Sequence, residues 1–476
     1  MFSLARLLLC LLLPVLAGCA RIEPPQAMHE LVVAVREAPG FYQRDGDGYS
    51  GFDKDLVESF AASLGLPARF IVVQDIGQAK RLLALHHAHM AATLPLDAQS
   101  SLRYSQAFRE ADKVLVAHED SLGPTELTDL AGREVAVVAG SPLAADLRAL
   151  PTPPGVTEVR QVNEAALLAD VAARTLPLAA VHEINLDLAN NRYPELVVRL
   201  RLPGKIGLGW AFSGDASDAA AETLRAQADA FLHQAHADGL LDRMYDRYFG
   251  HIQRIDAAGI AKFIKDTQRL LPPLIHHFHL AQDATGIDWR LLAALAYQES
   301  HWDPLATSPT NVRGIMMLTE ETADQLGVVD RLDPASSIRP GARYLAQLVE
   351  QIPQTTPAPD RLWLGLAAYN LGMGHLRGGL AIARGMRRDP NSWYEMKQVL
   401  PKLSQPEIYA RLKSGPARGG EAVILVENVR TYYDILKQLA PARMPLLAVP
   451  SARSEGSTLG VPTFRGLDPA AAKPST

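Results

Sequence analysis

Glu299 is the residue in this chain best placed to do chemistry. The spacing predicts a helix over Trp289–Ser300, N-capped by Asp288, with Leu291, Leu292 and Leu295 facing a core and Glu299 at its C-terminal end. Trp302-Asp303-Pro304 follows, and the proline stops the helix. A carboxylate there opposes the helix dipole, and apolar neighbours such as Leu295, Trp302 and Met317 strip its water. Both effects raise its pKa, as a general acid working near neutral pH requires. Reactions that use a carboxylate pair need a second Asp or Glu across the substrate. Near this motif only Asp303 offers itself, and its place directly before a helix-stopping proline reads as structural.

Other chemistries fare worse. The two cysteines, Cys10 and Cys19, both lie in the first twenty residues, which excludes a disulfide framework, a Cys-ligated zinc site or thiol catalysis in the folded body. His86, His87 and His89, like His276, His277 and His279, place pairs at i, i+3 on presumed helices. A metal site needs three or four convergent ligands, so these read as solvated helix faces. With no P-loop or dinucleotide glycine pattern either, no cofactor and no metal are expected.

The elements that must position Glu299 belong to a chain of 476 residues, long enough for roughly three domains. Hydrophobic residues at 48% and charged residues at 21% exclude wholesale disorder. Only one segment approaches the apolarity of a membrane span, and it is too short, so a polytopic membrane protein is excluded. A net charge of -5 gives nothing to drive binding to nucleic acid.

That one apolar segment, Leu7 to Leu16 after Arg6, reads as the core of a signal peptide over residues 1–18. Leu16-Ala17-Gly18-Cys19 resembles a bacterial lipobox, which implies that Cys19 becomes a lipidated N-terminus. By resemblance to sorted lipoproteins, Ala20 in place of Asp implies the periplasmic face of the outer membrane. Acyl chains on Cys19 would anchor the protein stably.

Residues 29–250 alternate strand-like runs (Leu31 to Val35, Arg69 to Val73, Val114 to Ala117, Val135 to Val138) with helical spacing (Asp53 to Leu64, and paired helices over Leu224 to Phe249), which predicts α/β. Residues 251–269 read as a helical connector. Over 270–440 strand signals nearly vanish, helical periodicity recurs between Pro/Gly breaks, and Gly314 is read as preceding a new helix, so an all-α body is expected. From 441 to 476 Pro, Ala, Ser and Gly dominate, which reads as a disordered tail.

Gly51-Phe52-Asp53-Lys54-Asp55-Leu56, and the run from Leu130 through Val135 to Gly140-Ser141, resemble the family-3 periplasmic solute-binding proteins. The resemblance implies two α/β lobes around a cleft. Two departures speak against a free amino acid as ligand. Leu94 to Ser100 lacks the Arg that clamps an α-carboxylate, and the Asp that receives the α-amino group aligns with His182. Arg103 reads as a surface or interlobe charge rather than a substitute clamp.

Glu299-Ser300-His301-Trp302-Asp303-Pro304, Ser308 nine residues after the Glu, Gly314-Ile315-Met316-Met317-Leu318 and Ala367-Ala368-Tyr369-Asn370 are similar in order and spacing to the lysozyme-like lytic transglycosylases. With a solute-binding-like module ahead and a lipid anchor, the chain resembles the membrane-bound lytic murein transglycosylase F family. That implies a multidomain fold: a two-lobed α/β module followed by an all-α, lysozyme-like domain. It implies a carbon–oxygen lyase of the glycoside hydrolase family 23 type, with Glu299 as acid and base, Ser308, Met317, Tyr369 and Asn370 contacting substrate, and peptidoglycan glycan strands as partner. A regulatory module reading a ligand such as a muropeptide is implied as well. One departure bears on rate: relatives carry Tyr-Val-Glu-Asn where this chain has Leu425-Val426-Glu427-Asn428, and Pro416 and Gly420 replace an expected Tyr and His. The alternative reading is a catalytically decayed peptidoglycan- or solute-binding lipoprotein.

Overall fold

The computed structural model describes residues 21–46 and 48–442. The signal segment, Cys10, Cys19 and nearly all of the C-terminal tail lie outside the described residues.

The first module contains strands β1 (Leu31–Arg36), β2 (Gln43–Asp45), β3 (Gly48–Ser50), β4 (Ala68–Val73), β5 (Met90–Pro95), β6 (Arg103–Tyr104), β7 (Arg109–His118), β8 (Glu134–Val138), β9 (Gly155–Val159), β10 (Ala179–His182) and β11 (Leu196–Phe212). Between them lie α1 (Pro25–Met28), α2 (Phe52–Ser63), α3 (Ile76–Ala84), α4 (Leu143–Arg148), α5 (Glu164–Ala172) and α6 (Glu183–Asn190), and after them α7 (Ala219–Ala237) and α8 (Leu240–Phe249). β2 and β3 form a small hairpin of their own. The other strands make one mixed sheet ordered β4-β1-β5-β11-β7-β10-β8-β9, with β6 beside β11. β4-β1-β5 and β10-β8-β9 are parallel blocks, one per lobe. The antiparallel pair β7 and β11 joins them.

Helices cover both faces of each parallel block, so its strands must be apolar on both sides. β1 shows this: Leu31, Val33 and Val35 enter the core under α2 and α8, while Val32 and Ala34 enter the core under α3. β11, seventeen residues long, was not legible as a strand. Arg199, Arg201, Pro203, Gly204 and Lys205 interrupt its apolar alternation, and its register against β7 shifts in two places. It exists because β7 and β5 supply partners for its backbone.

The second body is helical: α9 (Ala257–Arg269), α10 (Ile275–Thr285), α11 (Trp289–Ser300), α12 (Glu320–Leu326), α13 (Pro334–Glu350), α14 (Asp360–Leu371), α15 (Met373–Gly385), α16 (Trp393–Val399), α17 (Pro406–Tyr409) and α18 (Gly419–Leu439). α9, expected as a connector, buries Ile260 and Phe263 in the same core as α11 and α18. Phe263 packs on Tyr297, Trp302 and Tyr432 at ring-centroid distances of 4.6, 5.6 and 4.4 Å. Two sequence expectations need correction. His86, His87 and His89 lie beyond the end of α3 rather than on a helix; His89 instead accepts from Val32 N at 2.9 Å, and His86 meets Asp218 at 3.0 Å. Gly314 opens a turn, and the next helix starts only at Glu320.

The two bodies meet through buried polar bonds. Arg430 on α18 donates to the carbonyls of Asp246 and Arg247 at the end of α8, both at 2.8 Å, and to Glu427 at 2.6 Å. Trp393 Nε1 donates to the same Glu427 oxygen at 2.7 Å, and Lys397 pairs with Asp246. Burial opposes ionisation of Glu427, yet Arg430 and Lys397 hold its pKa down to about 2. His251 Nε2 meets Asp434 at 2.6 Å, and Thr431 donates to the carbonyl of His251 at 2.8 Å. Removing Arg430 takes the donor from the buried carbonyls of Asp246 and Arg247 and leaves Glu427 with Lys397 as its remaining cation. Arg430→Met is therefore expected to destabilise the chain by about 3–5 kcal/mol. It should also split one unfolding transition into two, and calorimetric scanning beside the wild type checks both.

Candidate active site

α11 is buried almost all round: ten of its twelve residues are buried, and only Gln298 and Glu299 reach an opening. A helix apolar on every side belongs in a core. Its start is fixed by Asp288, whose carboxylate accepts from Arg290 N at 2.8 Å and pairs with the Arg290 guanidinium at 2.6 Å. Its end comes earlier than Pro304. His301 and Trp302 both take left-handed backbone conformations, with φ of 53° and 61°, and turn the chain back. Trp302 Nε1 then donates to the carbonyl of Ala293 at 2.8 Å, clamping the reversed chain to the helix. Asp303 is exposed and accepts from Leu305 N at 2.9 Å, a turn-forming role.

A tight turn over Gly314 to Leu318 packs against this helix end. Ser300 Oγ donates to the carbonyl of Ile315 at 2.9 Å, and Met316 N donates to Ser337 Oγ at 3.2 Å. Tyr369 Oη donates to the carbonyl of Met316 at 2.7 Å. Gly314 is obligatory, since its φ is +80° and a Cβ would lie 1.8 Å from the carbonyl oxygen of Arg331. Ser308 Oγ accepts from Val312 N at 3.1 Å and pins the loop between the helix and this turn.

The structure thus gathers Glu299, the Met317 turn and Tyr369 around one helix end. Tyr369 lies close enough for burial first, and the Glu299 charge second, to push its pKa well up. Met317 is half-buried with φ of 47°, Asn370 is exposed beside Tyr369, and Ser308 sits in the adjoining loop. Glu299 is partly accessible, yet enough protein surrounds its carboxyl that burial pushes its pKa up to about 8. Burial is the one cause, so desolvation rather than a charged neighbour keeps the proton on.

Leu425, where a phenol was expected, is buried in the core. Neither later tyrosine replaces it. Tyr432 is packed on Phe263, and Tyr433 donates to Asp288 at 3.0 Å. In the sequence Asn428 carries no role beyond closing the Leu425–Asn428 segment; its Nδ2 donates to Gln298 Oε1 at 3.1 Å and so ties α18 to the residue beside Glu299.

In the first module the lobes are closed. Asn163 Nδ2 donates to the carbonyl of Glu37 at 2.6 Å, Gln161 N to Asp75 at 3.1 Å, and Lys80 Nζ to the carbonyl of Gly140 at 3.2 Å. The remaining cavity is about 20 Å³. His182 is tied to buried Glu164 through Nδ1 at 2.6 Å, while its Nε2 has no hydrogen-bond partner among the described residues. Arg103 is bound to Glu222 of α7 at 2.6 Å. A guanidinium does reach the cleft from a residue the sequence did not single out. Arg36 donates to the carbonyl of Thr93 at 3.2 Å and faces Glu164 and Asp53. Burial pushes the Asp53 pKa up to about 7.

Sheet-hinged lobes joined to a helical body with one desolvated acid define a two-module protein, a solute-binding-like unit fused to a transglycosylase-like domain. Family models agree: residues 31–251 match the bacterial extracellular solute-binding proteins, family 3, and residues 277–388 match the transglycosylase SLT domain. The chain is 39% identical over 435 residues to the membrane-bound lytic murein transglycosylase F of Nitrosospira multiformis, covering 90% of each. It is 37% identical over 458 residues to that of Methylobacillus flagellatus, covering 93% of this chain and 96% of the relative. The chain belongs to the membrane-bound lytic murein transglycosylase F family. Among solved structures, arginine-bound ArgBP from T. maritima is similar at 18% identity and a TM-score of 0.39, covering 44% of this chain and 98% of that one.

The Glu299 environment makes a signed prediction. Its folded pKa of about 8 lies above the unfolded value, so between roughly pH 4.5 and 8 the unfolded chain gives up this proton while the folded chain must keep it, and stability falls across that range. Glu299→Gln removes that cost and is expected to raise stability at pH 7 by roughly 2 kcal/mol, with little gain at pH 4. Urea titration at the two pH values checks it.

Proposed function

We propose that this chain is a lytic murein transglycosylase in which Glu299 alone serves as acid and then base. Its substrate is the glycan strand of peptidoglycan, cut at the MurNAc-GlcNAc β-1,4 bond without water. Protonated Glu299 gives its proton to the bridging oxygen, the bond to C1 of the muramic acid breaks, and the leaving sugar departs as an alcohol. The substrate's own N-acetyl group stabilises the cationic C1. The Glu299 carboxylate then takes the proton from the 6-hydroxyl, whose oxygen closes on C1 to give a 1,6-anhydro ring. The enzyme ends as it began, and no second carboxylate is needed.

The observation that carries this reading is a partly accessible carboxyl whose pKa of about 8 keeps it protonated at neutral pH, by burial alone. Tyr369 and Ser300 hold the turn that carries Met317, so Met317, Tyr369, Asn370 and the Ser308 loop form the surface offered to the sugar. The second reading, a decayed binding lipoprotein, draws on Leu425, which leaves α18 without a phenol near the site. Incubating the purified protein with murein sacculi and analysing the muropeptides separates the two. Glu299→Gln is expected to abolish 1,6-anhydro products, because an amide has no transferable proton, while the fold persists. More than a few per cent of wild-type product from that variant would overturn the assignment.

The same proposal places the enzyme on the periplasmic face of the outer membrane, anchored by lipid on Cys19, with the first module acting as a regulatory sensor for a ligand such as a muropeptide. Among the described residues no helix is long and apolar enough to cross a membrane. Cys19→Ala is expected to release a soluble or inner-membrane-retained species, and unchanged outer-membrane fractionation would refute the anchor.

A further inference from the structure

The first module holds a larger space than its interlobe cleft. A cavity of about 230 Å³ lies beside the hinge, where β7 and β11 cross between the lobes and α8 packs against them. Rings of Phe41, Phe52, Phe108, Tyr245 and Phe249 wall it. A second cavity of about 230 Å³ adjoins it, sharing Ile184, Asp187, Tyr245 and Phe249, and runs on toward Arg254. The interlobe cleft, by contrast, is filled by its own Arg36, Glu164 and His182.

The charges at this hinge cavity are unevenly matched. Glu183 is paired with Arg201 at 2.5 Å, and Asp112 has Lys205 at 3.8 Å. Glu110 and Asp242 have no ion-pair partner among the described residues. Asp187 stands where the two cavities meet, without an ion pair among the described residues; burial pushes its pKa up, against the Gln253 hydrogen bond and the Arg201 charge that lower it, with Glu183 as a repelling neighbour. The wall already holds one cation by its π face: the guanidinium of Arg109 lies 3.5 Å from the ring centroid of Tyr245.

We propose that this hinge cavity is a ligand site for a small molecule that joins an apolar or aromatic body to one ammonium group. The body packs among the five rings, and the ammonium sits on Asp187. Apolar walls with a few convergent polar groups are what small-molecule sites require. Arg201, which feels Asp187, is itself bonded to Glu183, so this desolvated carboxyl has no direct ion pair and gains from one. The occupant would touch α6 of one lobe and α8, whose end is bonded to Arg430 of the catalytic body. It can bias the lobe arrangement only through a difference in affinity between open and closed forms.

The test uses the full chain and three probes of one shape: phenethylammonium, phenethyl alcohol and phenylacetate. Titration calorimetry with saturation-transfer NMR is expected to show the ammonium binding at least tenfold more tightly than the other two. Asp187→Asn should abolish that preference, Tyr245→Leu should weaken the ammonium at least threefold, and Glu299→Gln should bind it as the wild type does. A thermal scan confirms that each variant is folded; if Asp187→Asn is not, Asp242→Asn and Tyr245→Leu together must lower the preference. The proposal falls if no probe binds or if phenylacetate binds as well as the ammonium. It also falls if the preference survives Asp187→Asn in folded protein, or if Glu299→Gln removes binding.

Discussion

Desolvation of one carboxyl, Glu299, is the constraint on which the catalytic body depends. A carboxyl stripped of water holds its proton at pH 7, but only if the surroundings neither rearrange to solvate it nor supply a counter-ion. The chain meets both conditions by placing Glu299 on a helix that is core on nearly every face. Phe263, Tyr297, Trp302 and Tyr432 pack into one aromatic cluster behind it, and Ser300 locks the helix end to the following turn. The resulting cost in stability is the kind that active sites carry and the rest of the fold offsets.

The offset includes the junction. α18 runs through the core of the catalytic body and presents Glu427, Arg430, Thr431 and Asp434 to the end of the first module. Buried ion pairs contribute little net stability compared with apolar packing, but breaking them is expensive. They therefore specify one arrangement of the two bodies rather than holding them together by strength. Asn428, on the same helix, bonds Gln298 beside the acid, so one rigid helix touches both the junction and the site.

The first module shows how a binding fold changes when its cleft is filled from within. Glu164 is bonded to His182 there, and the Arg36 guanidinium faces Glu164 while donating to the carbonyl of Thr93. Burial opposes the ionisation of Glu164, yet the partnership with His182 holds its pKa below the usual range. Hydrogen bonds from Asn163, Gln161 and Lys80 cross this cleft and tie the two lobes together.

What the sequence determined by itself was local. The helix over Trp289–Ser300 and its Asp288 cap, the alternation of β1, and the split into an α/β and a helical body follow from periodicity and capping, which act over a few residues. The order and spacing around Glu299, Gly314 and Tyr369 also singled out residues that the fold gathers around one helix end. Tertiary structure decided the rest, because it depended on partners far apart in the chain. β11 is a strand because β5 and β7 pair with it, not because its own residues alternate. α9 is a core helix because Phe263 meets Tyr432, 169 residues later by number (432 minus 263). The high pKa of Glu299 was expected from a helix dipole and apolar neighbours together; enclosure by the surrounding body proved sufficient, and enclosure is a property no local window contains. Arg36 entered the cleft for the same reason: Thr93 reaches it from the neighbouring strand β5, and Glu164 reaches it from the other lobe.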